Sequence, residues 1–111
     1  MTIIDAFAIL LREGAGGLNV HLVAFHLDAT GEADERATRL QVALALLGHV
    51  TELQRGVWLV ACDQGAEAIK ASLETQLEAA DRLFVGTLTQ VASTRPLPST
   101  VEVFRVARWI P

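Results

Sequence analysis

The stretch VHLVAFHL, residues 20–27, is apolar at every position except its two histidines. A run this short and this greasy fits a strand covered on both faces better than a half-exposed one or a helix. Alternation sends Val20, Leu22, Ala24 and His26 to one side and His21, Val23, Phe25 and Leu27 to the other, and neither side carries a full charge. Residues 57–62, VWLVAC, repeat the pattern, with Trp58, Val60 and Cys62 opposite Val57, Leu59 and Ala61. Two such strands require a sheet with cover on both faces.

Reading outward, Asp28 to Gly31 break the pattern and a helical period takes over from Glu32 to Leu47. Its apolar stripe is Ala33, Ala37, Leu40, Leu44 and Leu47, with Asp34, Glu35, Arg36 and Arg39 away from it and Gly48 placed to end it. Short strands follow at Val50–Leu53 and Val57–Cys62, separated by Gln54, Arg55 and Gly56 as a hairpin turn. A second helix is predicted from Ala66 to Ala80 on Ile69, Leu73, Leu77 and Ala80, and Leu83–Leu88 reads as a fourth strand. The order β, α, β, β, α, β is the split-βαβ arrangement of an α+β, ferredoxin-like domain: one antiparallel sheet with both helices on one face.

That domain spans residues 18–93, between an N-terminal extension, 1–17, and a C-terminal arm, 94–111. In the extension, Thr2–Glu13 is expected as a short helix in preference to a strand, stopped by the glycine-rich residues 14–17. In the arm, Pro96 and Pro98 form a stiff hinge before Val101–Ile110, whose β-branched and aromatic residues predict an extra strand that exchanges onto a partner's sheet edge. Two helices cover one face of the sheet only. The other is therefore expected to meet a second copy in a sheet-to-sheet homodimer, with Val20, Leu22, Ala24, His26, Trp58 and Val60 at the interface.

Composition narrows the function. No apolar run approaches the roughly 20 residues that cross a bilayer. Asp5 stands where a secretory signal would carry Lys or Arg, so the expectation is a cytoplasmic protein without membrane contact. Cys62 is the only cysteine, which suits a small buried hydrophobe and rules out a disulfide within the chain. Net charge is −4, and residues 1–90 hold six Lys or Arg against twelve Asp or Glu. An acidic body repels phosphate, and only Arg95, Arg105 and Arg108 near the C-terminus oppose that trend.

Few side chains offer chemistry. His26 and Asp28 share one side of an ideal strand at its end, where they would hold a divalent metal or act as acid and base. The competing account makes His26 an interface residue and Asp28 a turn residue. His21 faces the helices as a core histidine, His49 follows a helix C-terminus, and Trp58 suits core or interface packing. Arg105, Arg108 and Trp109 form the one basic and aromatic cluster, a candidate nucleic-acid contact. Gly14, Gly16 and Gly17 precede a strand and do not open a helix, so they do not make a phosphate loop. Beyond a possible divalent metal, no cofactor is predicted.

Three segments, VAFHLD (residues 23–28), RGVWLVACDQGAEAIKASLE (55–74) and DRLFVGTLTQVAS (81–93), resemble the SinR-like small proteins related to the second CRISPR-associated spacer-adaptation protein. The resemblance covers residues 20–93 and implies a ferredoxin-like homodimer whose C-terminal strand crosses to the partner. It also implies metal-dependent nuclease chemistry at an aspartate that follows an aromatic at the end of the first strand. Here Phe25 is the aromatic and His26 takes the aspartate's place, with Asp28 two residues on. Imidazole for carboxylate removes a hard oxygen ligand and its charge. The expectation is thus a non-catalytic or catalytically altered homodimer that binds a protein or nucleic-acid partner. A metal-dependent nuclease, and a small dimeric enzyme or ligand binder working in a cleft, are the alternatives.

Overall fold

A computed structural model describes residues 18–29 and 32–110. Strand β1 (Asn19–His26) is hydrogen-bonded along both edges, to β3 (Val57–Cys62) on one side and β4 (Arg82–Thr87) on the other. Strand β2 (His49–Gln54) pairs outside β3, so the sheet order is β2-β3-β1-β4 and every neighbouring pair is antiparallel. The β2–β3 turn needs a glycine: Gly56 has φ +80°, and a Cβ there would lie 2.6 Å from the Phe25 carbonyl oxygen. Its own carbonyl accepts the Phe25 N–H at 2.8 Å, which ties the hairpin to the end of β1.

Helices α1 (Ala33–Leu47) and α2 (Ala66–Glu74) lie on one face, as their stripes require. Leu40, Leu44, Ile69 and Leu73 are fully buried against Val23, Val60 and Cys62. α2 stops at Glu74, short of Ala80. The chain beyond it tightens, with Gln76 N–H bonded to the Leu73 carbonyl and Leu77 N–H to that of Glu74, and then turns so that the Glu78 N–H donates to the Asp81 carboxylate. A helix continued to Ala80 would forfeit that bond.

The largest departure from expectation is at the C-terminus. Residues expected as an extra strand form helix α3, Pro98–Val106. Pro98 sits in its first turn, where the missing N–H is harmless, and Thr100, Val101, Val103, Phe104 and Ala107 are buried. VEVFRV has the β-branched and aromatic composition of a strand, yet Val101 and Phe104, three apart, share a helix face, and the proline start decided between them. α3 does not leave the domain. It packs on the second face of its own sheet, over Val20, Leu59 and Ala61, and so supplies cover that had been assigned to a twin molecule. Trp109 closes this cluster: its ring centroid is 4.9 Å from that of Phe104 and its indole N–H donates to the Leu18 carbonyl at 3.1 Å.

Register also separates the six residues expected at a dimer interface. Opposed residues of an antiparallel pair share a face. Trp58 pairs with Val23 and Val60 with His21, so both lie on the α1–α2 side, whereas Val20 and Leu22 lie against the α3 cluster. Ala24 and His26 continue the α3 face toward the far end of β1, where Phe84, opposite Ala24, is 61% exposed. Among the described residues, half of that face is thus covered and half is open. Among the described residues no helix is long and apolar enough to cross a membrane, and the expected helix at Thr2–Glu13 lies outside them. Because Phe104 anchors α3, Phe104→Ala is expected to cost about 4 kcal/mol, read as a lower urea midpoint with a blue-to-red shift of tryptophan emission as Trp109 loses its packing.

Candidate functional site

Beyond His26 the chain leaves the sheet and enters α1, and a buried ion pair holds this junction. Arg36 is 3% exposed and the Asp81 side chain 0%. Arg36 Nε donates to Asp81 Oδ2 at 2.9 Å and Nη2 to Oδ1 at 3.2 Å, a two-pronged contact, while Nη2 also reaches the Asp28 carbonyl at 2.7 Å. Asp81 receives the backbone N–H of Asp28 at 2.8 Å and of Glu78 at 2.7 Å. Burial alone would raise the Asp81 carboxyl; the two amides and the Arg36 guanidinium outweigh it and hold the group below the usual carboxylate range. Asp28 is therefore built into the junction through its peptide groups. Arg36, read as a wet-side residue, instead lies one turn before Leu40 on the buried side, and that spacing was the signal for it in the sequence.

His26 is exposed and stands opposite Arg82 in the β1–β4 register. It lines an open groove of about 980 Å³ between α1 and the β2–β3 turn. Phe25 and Leu27 floor this groove, and Glu32, Asp34, Glu35 and Glu52 surround it with Arg55 as the opposing charge. The potential there is negative and unsuited to phosphate. His26 stands opposite Arg82 in the strand register, and the Asp28 N–H and carbonyl bind the Arg36–Asp81 pair. Among the described residues no three His, Cys, Asp or Glu side chains converge as a metal site.

The other candidates resolve into structural roles. His21 is fully buried, with Nε2 2.7 Å from the Gln64 carbonyl and Nδ1 3.0 Å from Thr87 Oγ1. Burial pushes its pKa below the ordinary histidine value, against the opposing pull of the Gln64 carbonyl. The ring is neutral, donates from Nε2 and accepts the Thr87 hydroxyl at Nδ1, and so joins β1, the β3–α2 loop and β4. Burial, with the nearby Asp63 charge, pushes the Cys62 thiol up, away from nucleophilic thiolate. His49 is exposed at the start of β2. Trp58 packs among the α1–α2 core residues. The basic and aromatic cluster is divided: Trp109 turns inward, Arg105 pairs with Glu102, and Arg108 is exposed on the turn after α3, at φ +64°. No protein-family model matches the chain, and no curated protein matches it.

His21 and Asp81 act in separate pH windows. Unfolded histidine titrates near 6.5, and native His21 titrates lower, so below about pH 6.5 the unfolded chain takes up a proton that the native one refuses. Stability should therefore fall as pH drops through that range, and His21→Gln should flatten the fall. Asp81 contributes above the ordinary carboxylate range, and its contribution is lost as pH falls through its lower native value. Urea midpoints between pH 8 and pH 3 test both windows. Arg36→Ala, which strands a buried carboxylate, should cost about 3 kcal/mol at pH 7.

Proposed function

We propose that this chain is a ferredoxin-like homodimeric binding module which presents the open half of its second sheet face to a protein partner, without nuclease chemistry. The succession β1, α1, β2, β3, α2, β4 and the sheet order β2-β3-β1-β4 support the fold assignment. Kinship to the SinR-like group belongs with this reading and rests on the segments at residues 23–28, 55–74 and 81–93. The observation that carries the function is the half-open face: α3 covers Val20, Leu59 and Ala61, while Ala24 and Phe84 continue the same apolar surface without it, edged by His26 and Arg82. Apolar surface rimmed by polar groups marks protein contacts. The chain's net charge of −4 and the acidic groove argue for a protein partner over a nucleic acid.

One observation favours a second reading: His26, at the place of the nuclease aspartate, is exposed and borders that groove. Incubation with single- and double-stranded RNA and DNA, in Mg²⁺ or Mn²⁺, should give no cleavage. Cleavage abolished by His26→Ala would establish the nuclease instead. A photoreactive residue at position 24 should yield a discrete adduct with another protein, and that protein, once purified, should bind wild type at least tenfold more tightly than Ala24→Glu. A low-salt gel shift with nucleic acid and no protein adduct would overturn the protein-partner reading.

A further inference from the structure

We propose that two copies of the chain join edge to edge through β4, antiparallel, with a two-fold axis through Val85. The proposal rests on the homodimeric reading above and names its surface. Among the described residues β4 is paired only with β1. The Leu88 N–H bonds the Val20 carbonyl at 2.9 Å, and with the β1–β4 register this fixes which residues face inward. Arg82, Phe84 and Gly86 exchange their backbone bonds with β1, so Leu83, Val85 and Thr87 turn N–H and C=O outward. The Phe25 N–H, bonded to Gly56 on the opposite edge of β1, obeys the same parity.

An outward row of this kind invites another strand, and natural edges are usually blunted by lysine, proline or a bulge. β4 has none of these: its sequence is RLFVGT and its register with β1 is unbroken. A two-fold axis normal to the sheet keeps each face on its own side, so only residues of like parity can oppose one another. Among such registers, the one centred on Val85 engages all three outward residues, with Leu83 opposite Thr87 and Val85 opposite itself. It also sets Phe84 opposite the partner's Gly86 in a close, non-hydrogen-bonded pair. Phe84, 61% exposed, overhangs its own Gly86, where a Cβ would meet ring atom Cε1 at 3.1 Å, so the glycine sets no second bulky side chain beside the facing ring. The result is one eight-stranded sheet, with both open half-faces on the same side.

Amide hydrogen exchange reads this register directly. At protein concentrations of about 100 μM, the Leu83, Val85 and Thr87 amides should be protected along with those of Phe84 and Gly86; rapid exchange confined to the three odd positions overturns the proposal. In sedimentation, wild type should be a dimer, and Phe84→Glu and Val85→Pro should each weaken association at least 100-fold with the far-UV spectrum retained. Val85→Pro removes an outward N–H together with a half-buried side chain of the α1–α2 core, whereas Phe84→Glu alters an exposed ring, so Phe84→Glu serves if Val85→Pro fails to fold. Ala24→Glu should leave the dimer intact. Wild type that stays a monomer defeats the homodimeric reading as well; a dimer lost in Ala24→Glu but kept in both β4 variants defeats the β4 register alone.

Discussion

Strand β1 must be kept dry on both faces, and the rest of the chain is arranged around that constraint. Its residues are apolar in either direction, it bonds to a neighbour on either edge, and burial of its side chains at roughly 25 cal/mol per Å² is a dominant favourable term in folding. One face receives α1 and α2, whose Leu40, Leu44, Ile69 and Leu73 are fully buried. The other receives α3 from the same chain, anchored by Phe104 and latched at Leu18 by Trp109. α3 is nine residues long, so among the described residues its cover runs out before β1 ends and leaves the half-face open.

At that open end the chain needs a fixed exit from the sheet, and the Arg36–Asp81 pair provides it. A buried pair of this kind contributes little net stability over an apolar substitute, because desolvation offsets the attraction. Its value here is positional. One carboxylate collects amides from residue 28 and residue 78, and one guanidinium binds that carboxylate and the carbonyl of Asp28, so three segments distant in sequence meet at one point. Removing either partner leaves a buried charge alone.

The same geometry spreads the titratable groups around the end of β1. His26 stands opposite Arg82 in the strand register, with carboxylates along the adjoining groove, while the buried titratable groups are committed elsewhere: His21 to Gln64 and Thr87, Asp81 to Arg36. A surface of Ala24, Phe84, His26 and Arg82 is suited to contact.

Local pattern was enough to determine the strands, the two helices on the first face and the antiparallel order, because alternation and the 3.6-residue period are properties of neighbouring residues. It determined His21 as a core histidine for the same reason: parity placed it toward the helices. The burial of Arg36 was only hinted at by its spacing from Leu40, since its partner Asp81 lies 45 positions away and long-range pairing leaves no local trace. Residues 101–106 combine a strand-like composition with a helix spacing, and the contact that selects the helix is the sheet face formed by Val20, Leu59 and Ala61, far away along the chain. Sequence thus determined that both faces of the sheet demand cover; only the tertiary structure decided that the chain's own last helix would supply half of it, because burial depends on which surfaces meet in space.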